Sequence, residues 1–72
     1  MITKERIDEL EIGQTYRFKV NSRKNKIKGK LVCKNSYFTG LSLYHGSEAI
    51  EVKANGSTYT MSIHGIETIE PE

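Results

Sequence analysis

The 72-residue sequence contains one cysteine, one proline and no tryptophan. Because Cys33 has no second cysteine to pair with, the chain has no internal disulfide, and a lone thiol is typical of a reducing cytoplasm. The sequence also lacks a membrane-spanning apolar segment, and its first residues lack the apolar run of about 7 to 15 residues that a signal peptide needs. We therefore expect a cytoplasmic protein without membrane association.

The chain is too short for two domains, so we expect a single domain over residues 1–72. A chain of this size buries only about 60% of the surface that its unfolded form exposes, and its stability is marginal without oligomerisation or very good packing. The formal net charge is only +2. The distribution of the charges therefore carries more information than their sum.

Basic residues are concentrated in residues 16–43, which contain eight of the 11 Lys and Arg residues and none of the 9 Asp and Glu residues. This basic patch consists of Arg17, Lys19, Arg23, Lys24, Lys26, Lys28, Lys30 and Lys34. Alternate side chains of a strand lie on one side about 7 Å apart, which is comparable with the phosphate spacing along a nucleic-acid strand. The lysine row Lys26, Lys28 and Lys30 is therefore the main candidate binding site.

The pattern at the start of the chain predicts a short helix followed by strands. Thr3 is a suitable N-cap, and Ile2 and Ile7 occupy the positions of a hydrophobic staple, so we expect a helix over residues 4–10. From residue 15 the hydrophobic period changes to two, which predicts strands over residues 15–20 and 26–34. In the second strand the lysines face outward and Cys33 lies in the core.

We expect a tight turn at residues 34–36, a third strand over residues 37–43 and a closing strand over residues 67–70. In the segment that separates the third strand from the closing strand, Asn55 and Gly56 predict a type I′ turn that joins two further strands. That turn fixes the register of the hairpin and puts every apolar pair on one face. The predicted pairs are Ala54 with Ser57, Lys53 with Thr58, Val52 with Tyr59, Glu51 with Thr60, Ile50 with Met61 and Ala49 with Ser62.

These elements predict an all-β fold with one short N-terminal helix. Five to six short antiparallel strands in so small a chain favour a strongly bent SH3-like or Sm-like barrel over about residues 15–70. Gly29 and Gly40 are expected at its bends.

Two segments resemble the motifs of the Sm-like family. Residues 29–37 (GKLVCKNSY) have the glycine, aliphatic, amide and aromatic residues of the first Sm motif at its spacing. Residues 63–71 (IHGIETIEP) resemble the second motif as it occurs in Hfq, the bacterial Sm-like RNA chaperone. The chain departs from that pattern at Asn35, where an acidic residue is usual, and at Ile63, where the bacterial family carries a pore lysine.

The resemblance implies a homo-oligomeric ring joined through the outer strands, with uridine-rich RNA bound around the pore. In such a ring Tyr37 stacks on a base and His64 faces the RNA.

The residues themselves favour a non-catalytic protein that binds RNA or single-stranded DNA through the lysine row and the neighbouring aromatic side chains of Tyr37, Phe38 and Tyr44. The alternatives are a protein-interaction module, such as a phage or mobile-element accessory or inhibitor protein that docks on an acidic partner, and an oligomer that binds a small anionic ligand. The lysines could also serve only to protect an edge strand from pairing. No spacing of His, Cys and acidic residues indicates a metal site, a cofactor or a catalytic centre.

Overall fold

The computed structural model describes residues 2–40 and 43–72. Its elements are α1 (Lys4–Asp8), β1 (Thr15–Val20), β2 (Ile27–Tyr37), β3 (Glu48–Ala54), β4 (Ser57–Ser62), a 3₁₀ turn (Ile63–Gly65) and β5 (Ile66–Pro71). The strands form one antiparallel sheet in the order β4-β3-β2-β1-β5. The mostly β fold with one short helix is confirmed. Because no ladder joins β4 to β5 in the described part of the chain, the sheet is open and the predicted barrel is not confirmed.

The start of α1 confirms the predicted cap. The Oγ1 atom of Thr3 accepts a hydrogen bond of 3.2 Å from the main-chain nitrogen of Arg6. Ile2 and Ile7 are both buried in the hydrophobic core, as a hydrophobic staple requires. The helix ends at Asp8, before the predicted residue 10.

Strand β2 differs most from the prediction, because it continues from Ile27 to Tyr37 through the expected turn at residues 34–36. Its pairing with β3 shifts register between Leu31 and Cys33 and again between Cys33 and Ser36. These irregularities bend the strand without ending it, so the polar residues remain in the ladder. The predicted third strand over residues 37–43 is therefore wrong for the described residues. Tyr37 is the last residue of β2, and residues 38–40 and 43 belong to no strand. Residues 41–42 lie outside the described residues.

The same bulges change the environment of Cys33. The sequence places Cys33 in the core, but the side chain is half-buried and is not part of the hydrophobic cluster. A register shift on each side of the residue interrupts the alternation of inward and outward positions on which that prediction depends.

The β3–β4 hairpin forms in the predicted register, with all six predicted pairs present. Asn55 and Gly56 have positive φ angles of 52° and 78°, as the central residues of a type I′ turn require. Strand β5 begins at Ile66, one residue earlier than predicted, and pairs with β1.

The core lies on one face of the sheet and includes side chains of α1 and of the 3₁₀ turn. Its largest fully buried side chains are Phe18, Ile7, Leu10, Leu31, Ile50, Ile66 and Val52. Gly29 allows β2 to approach β3 closely, since a Cβ atom at this position would lie 2.5 Å from Cγ1 of Val52. Across residues 2–40 and 43–72, no helix is long and apolar enough to span a membrane.

Candidate binding groove and the charged outer face

Strand β5 places glutamates against the basic patch. On the outer face of the sheet, Nε of Arg17 lies 3.0 Å from Oε2 of Glu72, and Nζ of Lys28 lies 3.0 Å from Oε1 of the same side chain. Lys26 forms an ion pair with Glu70. Three cations of the predicted site are thus engaged by two carboxylates that are more than forty positions away in the sequence.

These ion pairs lower the pKa of both carboxyl groups. For Glu70 the main cause is the hydrogen bond from Lys26, and for Glu72 it is the hydrogen bonds from Lys28 and Arg17. A carboxyl group whose pKa is lower in the folded than in the unfolded state stabilises the fold above its unfolded pKa. That contribution disappears as the pH falls through the lowered pKa.

Two further lysines of the basic patch serve the fold. Nζ of Lys19 donates to the main-chain oxygens of Val20 at 2.9 Å and Arg23 at 2.6 Å, and it lies 3.5 Å from the carboxylate of Glu67. The alternation of residues along this strand predicts Lys34 on the outer face beside the lysine row. Its Nζ instead donates to main-chain oxygens at the end of the helical segment, at 3.2 Å from Asp8 and 2.8 Å from Leu10.

Lys24 and Lys30 make no ion pair with any residue in the described ranges. Lys30 lies opposite Lys53 in the β2–β3 ladder, so two positive charges are neighbours on the outer face. The lysine row therefore retains one lysine without a carboxylate partner, while Lys26 and Lys28 are neutralised.

Tyr37 and His64 are the two site residues implied by the Sm resemblance, and neither lies in β1 with Arg17 and Lys19. Tyr37 is 66% exposed at the end of β2, opposite Glu48 of β3. His64 is exposed in the 3₁₀ turn, where its main-chain nitrogen donates to Oγ of Ser62 at 3.2 Å. The sheet places the carboxylate of Glu72, and not Tyr37 or His64, beside Arg17 and Lys28.

A groove with a volume of about 390 Å³ is lined by residues of β4, of the β1–β2 turn and of the connection between β2 and β3. We call it the aromatic groove, because three aromatic rings contribute to its lining, together with aliphatic and neutral polar side chains and one arginine. Its lining residues are Val20, Asn21, Ser22, Arg23, Ile27, Phe38, Tyr44, Tyr59, Thr60, Met61, Ser62 and Gly65. No acidic residue is among them.

The wall formed by Phe38 and Tyr44 is held by specific contacts. The two rings pack edge to face with their centroids 6.4 Å apart. The main-chain nitrogen of Phe38 donates to the oxygen of Ser47 at 2.9 Å. Gly40 leaves space for the ring, since a Cβ atom at this position would lie 2.8 Å from it. Gly40 therefore serves this wall and not the bend of a third strand.

The hydroxyl groups of half-buried Ser47 and buried Ser62 are hydrogen-bonded beside the groove. Ser47 donates through Oγ to the main-chain oxygen of Tyr44 at 2.6 Å, and its Oγ lies 2.7 Å from Oγ of Ser62. The Ser62 hydroxyl therefore donates to Ser47 and accepts from the main-chain nitrogen of His64. Ser62 is only 4% exposed, and these contacts satisfy its hydrogen-bonding groups.

Arg23 and Tyr59 also line the groove. The guanidinium carbon of Arg23 lies 5.5 Å from the centroid of the Tyr59 ring, in the range of a cation–π contact. The sequence predicts Arg23 as part of the outer basic patch and does not predict Tyr59 as a site residue. The predicted hairpin register was the available signal, because it places Tyr59 opposite the buried Val52 on the inner face.

The two edge strands of the sheet, β4 and β5, differ in the features that keep an edge strand from pairing with another chain. Strand β5 carries Glu67, Glu70 and Pro71, and its ladder with β1 has a register shift. Strand β4 has the sequence STYTMS, with neither a charge nor a proline, and its ladder with β3 is regular. Charges, prolines and bulges are the features that keep an edge strand from pairing with other chains. Strand β4, which also contributes to the aromatic groove, lacks all three.

Among the described residues, no cluster of three or more His, Cys, Asp or Glu side chains could hold a metal ion. The chain matches no protein-family model, no curated protein and no solved structure.

Proposed function

We propose that the protein is a non-catalytic binding module that holds an extended peptide segment of a partner protein along β4. One observation carries this proposal: β4 is an uncharged, regular edge strand that borders the aromatic groove. An extended peptide can add to such an edge through main-chain hydrogen bonds, while its alternate side chains enter the adjacent pocket. This is the protein-interaction function, located on the inner side of the sheet and not on the basic patch.

The hairpin geometry identifies the main-chain groups that face the partner. In a two-residue turn the flanking residues Ala54 and Ser57 form a hydrogen-bonded pair, and the hydrogen-bonded and non-hydrogen-bonded pairs then alternate. Tyr59 therefore bonds to β3, whereas the N–H and C=O groups of Thr58 and Thr60 point away from β3. These groups are the donors and acceptors of the proposed edge.

A bent SH3-like or Sm-like sheet is part of the proposal. The short turn Ile63–Gly65 followed by a last strand beside β1 is consistent with the end of such a small barrel. The Sm resemblance adds a specific alternative, in which the segment on β4 is the outer strand of a second copy of the chain.

Replacing Thr60 with proline tests the proposal. Proline removes the outward N–H group and places its ring at the edge, but it removes no hydrogen bond to β3. We expect about tenfold weaker binding of peptides selected from a random display library, as loss of a main-chain hydrogen bond implies. The measurement is fluorescence anisotropy with the selected peptides.

The matched control is Thr60→Val, which removes the hydroxyl group but keeps the N–H group and should bind normally. Equal affinity of the proline variant, or a library that yields no binder, would contradict the proposal. If the wild type is an oligomer in solution and Thr60→Pro dissociates it, a second copy of the chain is the partner.

Binding of RNA or single-stranded DNA on the outer face is a second candidate. Lys24, Lys30 and Lys53 favour it, because none of them has an ion pair with a described residue. The ion pairs of Glu70 and Glu72 oppose it, because phosphates would have to displace these carboxylates from the basic patch.

The double variant Glu70→Gln with Glu72→Gln tests this second candidate by releasing Arg17, Lys26 and Lys28. If phosphates bind there, the slope of log affinity against log salt for a labelled single-stranded oligonucleotide should steepen by about two, since each phosphate contact contributes about 0.7. The control is Glu5→Gln with Glu11→Gln, which makes the same change in net charge away from these ion pairs. The same effect in both variants, or no retention of oligonucleotide by either, rules out a specific nucleic-acid site on this face.

A further inference from the structure

We infer that the segment bound in the aromatic groove is acidic, with a carboxylate paired to Arg23 and a neighbouring apolar side chain inserted between the aromatic rings. This inference rests on the proposed function and specifies the chemistry of the partner. It follows from the charge of the groove and from the way in which Arg23 is held.

The guanidinium of Arg23 contacts the Tyr59 ring but has no acidic partner among the described residues. It lies over the Tyr59 ring at 5.5 Å, and it forms no ion pair with any carboxylate in residues 2–40 and 43–72. A cation–π contact uses the positive charge of the guanidinium and not its N–H groups, which stay available in the fork that matches a carboxylate. Arg23 can therefore bind an acid without giving up the contact with Tyr59.

The turn that carries Arg23 is also fixed. The main-chain nitrogen of Arg23 donates to the oxygen of Val20 at 3.3 Å, and its main-chain oxygen accepts from Nζ of Lys19 at 2.6 Å. A side chain on an ordered turn loses less conformational freedom when it binds than one on an unrestrained loop. The ion pair of Lys19 with Glu67 belongs to the same arrangement.

The groove has an uncompensated positive charge. Its lining contains one cation and no acid, and the adjacent Lys24 has no ion pair with a described residue. The nearby carboxylates already have partners. Glu67 and Glu70 of β5 form ion pairs with Lys19 and Lys26. Glu72 forms ion pairs with Arg17 and Lys28. Charge complementarity therefore favours a negatively charged occupant.

The open edge of β4 favours a peptide over a nucleic acid as the source of that charge. The outward main-chain groups of Thr58 and Thr60 need alternating donors and acceptors, and an extended peptide backbone supplies both. In a strand, residues two positions apart face the same side. We therefore expect an apolar residue and an acidic residue separated by one position.

Synthetic peptides of repeating Leu-Thr-Glu-Thr, and of the same repeat with Gln or Lys in place of Glu, test this inference. We expect the wild-type protein to bind the Glu peptide about tenfold more tightly than the Gln peptide, as one charge-assisted hydrogen-bonded pair implies, and the Lys peptide more weakly still. Arg23→Gln should remove the difference between the Glu and Gln peptides. Lys30→Gln, which makes the same change in charge on the outer face, should leave it intact.

Each other result overturns the inference. Equal binding of the Glu and Gln peptides, or a preference for Glu that persists in Arg23→Gln, means that Arg23 does not select the partner. If none of the three peptides binds while library peptides still depend on the N–H group of Thr60, the proposed function stands with a different occupant. Displacement of the Glu peptide by oligothymidylate, dependent on Arg23, would make the occupant a nucleic acid.

Discussion

Replacing Phe18 with alanine is expected to lower the free energy of unfolding by about 3 to 5 kcal/mol, which is typical for loss of a buried aromatic ring. Phe18 is fully buried in β1, between β2 and β5, and its ring packs edge to face against Tyr16 with the centroids 6.2 Å apart. Small domains have total stabilities of about 5 to 15 kcal/mol, so the variant should be close to unfolding at room temperature.

Urea denaturation followed by circular dichroism measures this effect. The control is Ile12→Ala, because Ile12 is 61% exposed and its replacement should change stability by no more than about 0.5 kcal/mol. A loss of less than about 1 kcal/mol for Phe18→Ala would contradict the central position of β1 in the core.

Replacing Gly29 with alanine is expected to destabilise the protein by about 1 to 3 kcal/mol, as overpacking does. The added Cβ atom would lie 2.5 Å from Cγ1 of Val52 and 2.9 Å from the main-chain oxygen of Lys53. The second neighbour is backbone, so relief of the contact requires β2 and β3 to move apart.

Elsewhere the same substitution stabilises a protein by about 0.4 to 1 kcal/mol when the backbone conformation suits alanine, so the sign of the effect is informative. Lys30→Ala changes the next residue of the strand at an exposed position and serves as the control. A Gly29→Ala variant as stable as the wild type would show that β2 and β3 do not approach so closely. The measurement is the free energy of unfolding of Gly29→Ala, Lys30→Ala and the wild type by chemical denaturation.

Local sequence signals predicted the parts of the fold that depend on local interactions. Thr3 caps α1 through its own side chain, and the Asn55-Gly56 turn sets the register of its two strands. Both features involve residues close together in sequence, whose geometry is restricted by a few dihedral angles.

The path of β2 was less predictable. The polar residues after Cys33 favour a turn, but pairing with β3 keeps them in the ladder through two bulges. Tertiary pairing therefore overrides local preference here. The same bulges direct Lys34 to the end of α1.

The ion pairs of Arg17, Lys26 and Lys28 with Glu70 and Glu72 depend on the strand order. In the sequence, Lys28 and Glu72 are far apart, and nothing local indicates that β5 lies beside β1. The aromatic groove is hidden from the sequence for a similar reason, because Tyr59 of β4 is separated in sequence from Phe38 and Tyr44, which lie between β2 and β3. Only the inward position of Tyr59 followed from the predicted hairpin.

The most direct test of the central claim is an NMR titration of the isotope-labelled protein with a library-selected peptide. Binding along β4 should shift the amide signals of Thr58 and Thr60 most strongly and slow the exchange of these two amide hydrogens, because they become hydrogen-bonded to the peptide. Shifts confined to Lys28 and Lys30 on the outer face, with unchanged exchange at Thr58 and Thr60, would contradict the claim.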